Sequence, residues 1–172
     1  MNDFNNTVKK NLHTILAVIA VIAFIWGILN IFSVFEVNAK ISINGRSDTN
    51  TVSVSDCKNM DGSAMLYVGN ILFGLANLAV AAIGILYFLK ITQNKPFYDQ
   101  YIGSKLKFRP GFLMGAIGAV LQVICYLFCG SSESAMGITA KASIGVSWTT
   151  WMMLVIFAGV AVYDKFVLEK QQ

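Results

Sequence analysis

Residues 65–89 read MLYVGNILFGLANLAVAAIGILYFL, 25 positions without one Asp, Glu, Lys or Arg. An α-helix rises about 1.5 Å per residue, so about 20 apolar residues cross a hydrocarbon core of about 30 Å. A helix that is apolar on every side over this length belongs in a bilayer rather than on a soluble core. Three more blocks of the same kind occur, at Ile15–Phe35, Phe112–Gly130 and Val146–Tyr163. The reading is an all-α membrane protein, a single four-helix transmembrane domain over residues 1–172, with spans at about 13–35, 65–90, 111–130 and 147–167. Composition agrees: 56% of the 172 residues are hydrophobic and 13% are charged, roughly half the charge of an ordinary soluble domain. The first block follows Lys9-Lys10, and Val37-Asn38-Ala39 has the spacing of a signal cleavage site. A signal core is about 7–15 residues long, so this longer block is expected to be a retained span.

Basic residues in short connections orient such a bundle. Lys9 and Lys10 precede span 1, Lys90, Lys95, Lys105, Lys107 and Arg109 surround the connection 91–110, and Lys165 and Lys170 follow span 4. The connections 36–64 and 131–146 balance their charges. Both termini are therefore expected in the cytoplasm, with 36–64 and 131–146 outside. The net charge of +4 is mostly this topology signal. It forms no concentrated basic face, so nucleic acid is not an expected partner. Compactness, short tails and the lack of an Asn-x-Ser/Thr acceptor in the outer loops fit a bacterial plasma membrane.

The outer connections alternate apolar and polar residues, the period of a strand. Val37 to Ile43 and Thr51 to Ser55 flank Asn44-Gly45, a turn signal because both residues tolerate positive φ. A β-hairpin with a loose tip over residues 44–50 is expected. Ile138, Ala140, Ala142, Ile144, Val146 and Trp148 also alternate. A third strand paired with the hairpin would complete a small extracytoplasmic cap; the rival reading starts span 4 near Ala142. On the inner side, Asn94-Lys95-Pro96 opens a segment with Phe97, Tyr98, Tyr101, Ile102 and Leu106 at helical spacing. It reads either as an amphipathic helix on anionic headgroups or as an ordinary basic loop with aromatic anchors. Lys95, Lys105, Lys107, Arg109, Trp148 and Trp151 are the expected interfacial lipid contacts.

Helices in lipid associate through close packing and hydrogen bonds. Span 2 places Asn70, Gly74, Asn77, Ala81 and Gly84 at steps of 4, 3, 4 and 3, a seam on one face suited to a left-handed crossing. Span 3 carries Gly111, Gly115 and Ala119 at steps of four, and span 1 offers Asn30. Asn77 and Gln122 lie near the middles of their apolar blocks, so a bond between them is expected. Asn30, Asn70, Asn77 and Gln122 read either as packing groups or as the lining of a pore. Cys57 and Cys129 fall on the outer side, where disulfides persist. A bridge between them and buried free thiols are both open readings.

No charged residue lies mid-span, no proline interrupts a span, and the one histidine, His13, sits at the inner mouth of span 1. Ion-coupled carriers, broken-helix transporters and metal enzymes need such groups. Asp164, Lys165 and Glu169 read as a solvated helix end. No catalytic set, cofactor or metal is expected. The layout is similar to that of claudin-type tetraspan proteins: four helices, inner termini and a longer first outer loop with strands. The signature of that family needs a tryptophan and a cysteine pair in the first loop, and residues 36–64 hold no tryptophan and one cysteine. No residue and no junction-forming role is carried over. The expected function is a non-catalytic scaffold, accessory or interaction subunit that packs against other membrane subunits or itself. The alternatives are a small homo-oligomeric channel lined by Asn and Gln, and then a lipid-modifying enzyme.

Overall fold

In the computed structural model the described residues are 2–93, 108–135 and 138–168. They form α1 (Asn2–Ile31), β1 (Glu36–Ile43), β2 (Arg46–Ser53), α2 (Ser63–Gln93), α3 (Arg109–Leu127), β3 (Gly130–Ala135), β4 (Ile138–Gly145) and α4 (Trp148–Tyr163). A short 3₁₀ turn, Val54–Cys57, follows β2, and a π-helical turn, Asp164–Leu168, follows α4. Among the described residues four helices are long and apolar enough to cross a membrane. The inner segment expected at 94–106, with Lys95, Lys105 and Lys107 on or beside it, lies outside them.

Three helix termini have a local cause. At the end of α1, Ser33 enters the left-handed region at φ 51°. The amides of Phe32 and Ser33 close onto the carbonyls of Ile28 and Asn30, which satisfies groups that a helix end leaves open. Pro110 sits in the first turn of α3, where a missing N–H costs nothing. Ser147, extended at φ −65° and ψ 157°, precedes α4.

Packing runs in sequence: α1 against α2, α2 against α3, α3 against α4. Glycine makes the first contact close. A Cβ on Gly74 would lie 2.8 Å from the carbonyl oxygen of Gly27 and 2.6 Å from Ile31 Cγ1. Gly84 meets Ala20 in the same way, at 2.7 Å. Gly111 faces Ile83 of α2, and Gly115 is wedged between Val80 of α2 and Phe157 of α4. Ala81 and Ala119 are buried beside them. The helix core then fills with Leu16, Phe73, Val80, Phe112 and Phe157, all fully buried.

The four strands form one antiparallel sheet in the order β2-β1-β4-β3. The loose tip expected over 44–50 is instead a tight turn: Asn44 and Gly45, at φ 49° and 82°, make the type I′ turn that joins β1 to β2 with matching twist, and residues 46–50 already pair with β1. The strand expected near 138–146 is β4, and it pairs with β1 as the pattern required. A fourth strand, β3, was not expected. Its sequence Gly-Ser-Ser-Glu-Ser-Ala carries little β-propensity, and it is a strand because β4 supplies it with a ladder. A second core lies between sheet and helices, built from Val37, Val54, Cys57, Leu66, Tyr126, Cys129, Ile144 and Val146.

Of the two open readings for the thiols the structure has the free one, and one expectation at the end of α4 is corrected. Cys57, Cys125 and Cys129 are all free, so no Cys57–Cys129 bridge forms. Both thiols belong to the second core, but a disulfide needs one narrow Cβ geometry, and the Cys57 thiol turns instead to the Ser53 carbonyl at 3.7 Å. Asp164, at the start of the π turn, is not solvated and is only 7% exposed; Lys165 beside it is exposed, and Glu169 lies outside the described residues.

Candidate functional site

Four buried polar side chains, one from each helix, meet just beneath the sheet. They are Asn30 of α1, Asn70 of α2, Gln122 of α3 and Thr150 of α4, each 2–3% exposed. Gln122 is the hub. Its Nε2 donates to Asn70 Oδ1 at 2.7 Å and to Asn30 Oδ1 at 3.1 Å. Its Oε1 accepts from the Thr150 hydroxyl at 2.9 Å. Tyr126, one turn above on α3, donates its hydroxyl to Asn70 Oδ1 at 2.6 Å. Asn70 Nδ2 continues to Ser33 Oγ at 3.0 Å, and Asn30 Nδ2 returns to the Trp26 carbonyl at 2.8 Å.

Both amide hydrogens of Gln122 are used and its carbonyl accepts one bond. In a dry interior such a satisfied network holds its members in one arrangement. Amides and hydroxyls of this kind neither gain nor lose a proton near neutrality, so the cluster has no acid, base or activated nucleophile. It can join helices.

The expected bond between Asn77 and Gln122 does not form. The α2–α3 register decides this, because Gly69 lies against Gln122 and Cys125, while Gly118 lies against Ala76. That register sets Asn70 beside Gln122 and leaves Asn77 two helical turns, about 10 Å, further along α2. Asn77 is fully buried and donates to its own helix, Nδ2 to the Phe73 carbonyl at 2.8 Å. Its Oδ1 and the Trp26 Nε1 are buried without a hydrogen-bond partner among the described residues. Composition had marked Asn30, Asn70 and Gln122. Thr150 is the polar residue that the sequence offers for span 4; Ser33 and Tyr126 join only through the fold, although hydroxyls in apolar runs are a signal worth following.

The remaining expected positions are scattered. Trp148 and Trp151 are exposed at the start of α4, at 69% and 50%, and together with Met152, Val155 and Ile156 they line a shallow apolar groove. Arg109 is half-buried at the first residue of α3. His13 stacks on Phe88 with ring centroids 6.0 Å apart. Under the sheet, burial and then the nearby Asp56 push the Cys57 thiol above its ordinary range. Burial and then Cys57 do the same to Cys129. Among the described residues no three His, Cys, Asp or Glu side chains gather as metal ligands.

Comparisons with protein-family models, with curated proteins and with solved structures return no match.

Proposed function

We propose that the chain is a non-catalytic multi-pass membrane protein that serves as an accessory or interaction subunit of a membrane assembly. In this reading the sheet lies outside the cytoplasm, both termini lie inside, and anionic lipid meets the basic inner face. The observation that carries it is the hub at Gln122: Asn30, Asn70, Gln122 and Thr150, one from each helix, are joined by bonds to one another. Intramembrane polar groups that serve transport face a cavity or a water path. A homo-oligomeric pore lined by Asn30, Asn70, Asn77 and Gln122 would need them on an outer face of the bundle, yet each is at most 3% exposed, which weighs against that alternative. Lipid-modifying chemistry would need an acid, base, nucleophile or metal, and the hub supplies none.

The test is electrical and hydrodynamic. Purified protein in planar bilayers should carry no current, and extraction in mild detergent should give a particle larger than one chain. A current abolished by Gln122→Leu in a folded protein would overturn the reading.

A further inference from the structure

Alternate residues of a strand point to the same face. On β1 that face holds Val37, Ala39, Ile41 and Ile43. Val37 is 2% exposed, but Ile41 and Ile43 are 45% and 51% exposed. β4 repeats the gradient, with Ile144 at 4% and Ile138 at 52%. One continuous sheet face therefore rests on the bundle at one end and is uncovered at the other.

The uncovered half carries charge as well. On β2, Asp48 pairs in register with Ile41 and Arg46 with Ile43, so both charges share the face of the two isoleucines. Ile41, Ile43, Arg46, Ser47, Asp48 and Asn50 line a shallow groove there. Between the two pairs runs the rung Ser47–Ser42–Lys141. A two-fold axis along that rung exchanges Ile41 with Ile43, Asp48 with Arg46 and, on β4, Ala142 with Ala140. Across β2, β1 and β4 the pattern is its own complement, which is what a two-fold interface requires. Sheets packed face to face lie about 10 Å apart with strands nearly aligned, which suits isoleucine against isoleucine and acid against base.

We propose that this uncovered half-face binds a second copy of the chain, with Arg46 of each copy on the partner's Asp48. An anionic lipid surface would attract Arg46 and repel Asp48, whereas a second copy satisfies both charges. The contact deepens the interaction-subunit reading and rests on it.

The experiment uses full-length protein in mild detergent, with stoichiometry read by native mass spectrometry and sedimentation. The wild type self-associates. Arg46→Asp gives a face with two acids and Asp48→Arg a face with two bases, so each alone associates at least about tenfold more weakly. Mixing the two variants restores a dimer that contains one of each, and the double swap Arg46→Asp/Asp48→Arg restores the homodimer. Recovery on mixing proves that the single variants are folded. A monomeric wild type, variants that associate like the wild type, or a mixture without heterodimer would each refute the contact. So would an association that tracks anionic lipid content and is lost with Arg46→Asp alone, since that places lipid on the face. Absence of both dimer and bilayer current refutes this contact and leaves the accessory reading standing; a Gln122-dependent current refutes that reading itself.

Discussion

Gln122 Nε2 donates to Asn70 Oδ1 at 2.7 Å, across the α2–α3 contact. Through the same side chain α3 also reaches α1 and α4. Hydrogen bonds between membrane helices average about 0.6 kcal/mol and reach about 1.7. Gln122→Leu removes three of them and strands the buried Asn30 carbonyl and the Thr150 hydroxyl, while Asn70 Oδ1 keeps its bond from Tyr126, so a loss of about 2–4 kcal/mol is expected. Thr150→Val removes one bond and should cost about 1 kcal/mol. Unfolding in mixed micelles would measure both. Gln122→Leu combined with Asn70→Leu should cost less than the sum of the two single changes, because the pair shares a bond.

The helix glycines divide into two kinds. Gly74→Ala forces a methyl to within 2.8 Å of the Gly27 carbonyl oxygen, and overpacking of this sort costs about 1–3 kcal/mol. Gly159 has nothing within 4 Å of an added Cβ. Gly159→Ala should stabilise the protein, by up to about 1 kcal/mol from helix propensity. Thermal melts of the two variants in one detergent should move in opposite directions.

The cap thiols give a pH signature. Folding raises the pKa of Cys57 and of Cys129, chiefly by burial. A raised folded value means that the protonated thiol is the form the fold prefers. Its contribution is complete below the unfolded pKa and is lost as pH climbs through the folded one. Stability should therefore be flat through neutrality with respect to these groups and fall in the alkaline range beyond that of an ordinary thiol. Alkylation should be slow at neutral pH, quicken with alkali and go to completion in denaturant. Mass spectrometry without a reducing step should find three alkylated cysteines.

The β1–β2 turn depends on two consecutive positive φ angles. Gly45→Val places a β-branched side chain at φ 82°, where it is strained. A loss of about 1–3 kcal/mol, visible as early melting of β-sheet circular dichroism, is expected. Asn44→Gly keeps the turn but removes the bond from the Thr139 amide to Asn44 Oδ1, and should cost less.

Much of this architecture is legible in the chain because some physical demands are local. Apolar runs long enough to cross a bilayer announce α1 to α4, and alternation around Asn44-Gly45 announces the hairpin. What escapes is what depends on register between distant segments. Nothing within Asn70 to Gly84 tells which asparagine will stand opposite Gln122; the glycine contacts of α2 and α3 decide that. β3 escapes because its serines are strand residues only once β4 lies beside them. The burial of Asp164 escapes because a charged triplet after an apolar run reads as a terminus until the π turn folds it inward. The thiols show the same limit: the second core brings Cys57 and Cys129 into one apolar cluster, and side-chain direction then decides against a bond.

The helices pack in sequence from α1 to α4, and among the described residues α1 and α4 do not pack closely backbone to backbone. The sheet supplies the missing link, because β1 leaves α1, β4 leads into α4, and the two strands are hydrogen-bonded neighbours. Connectivity therefore runs as a closed circuit, with one arc made of strands rather than helices. A circuit tolerates a break where its arc is merely a projection. A backbone nick at the Asn44–Gly45 tip would leave both flanks of every helix engaged, so the severed halves should stay together as one particle.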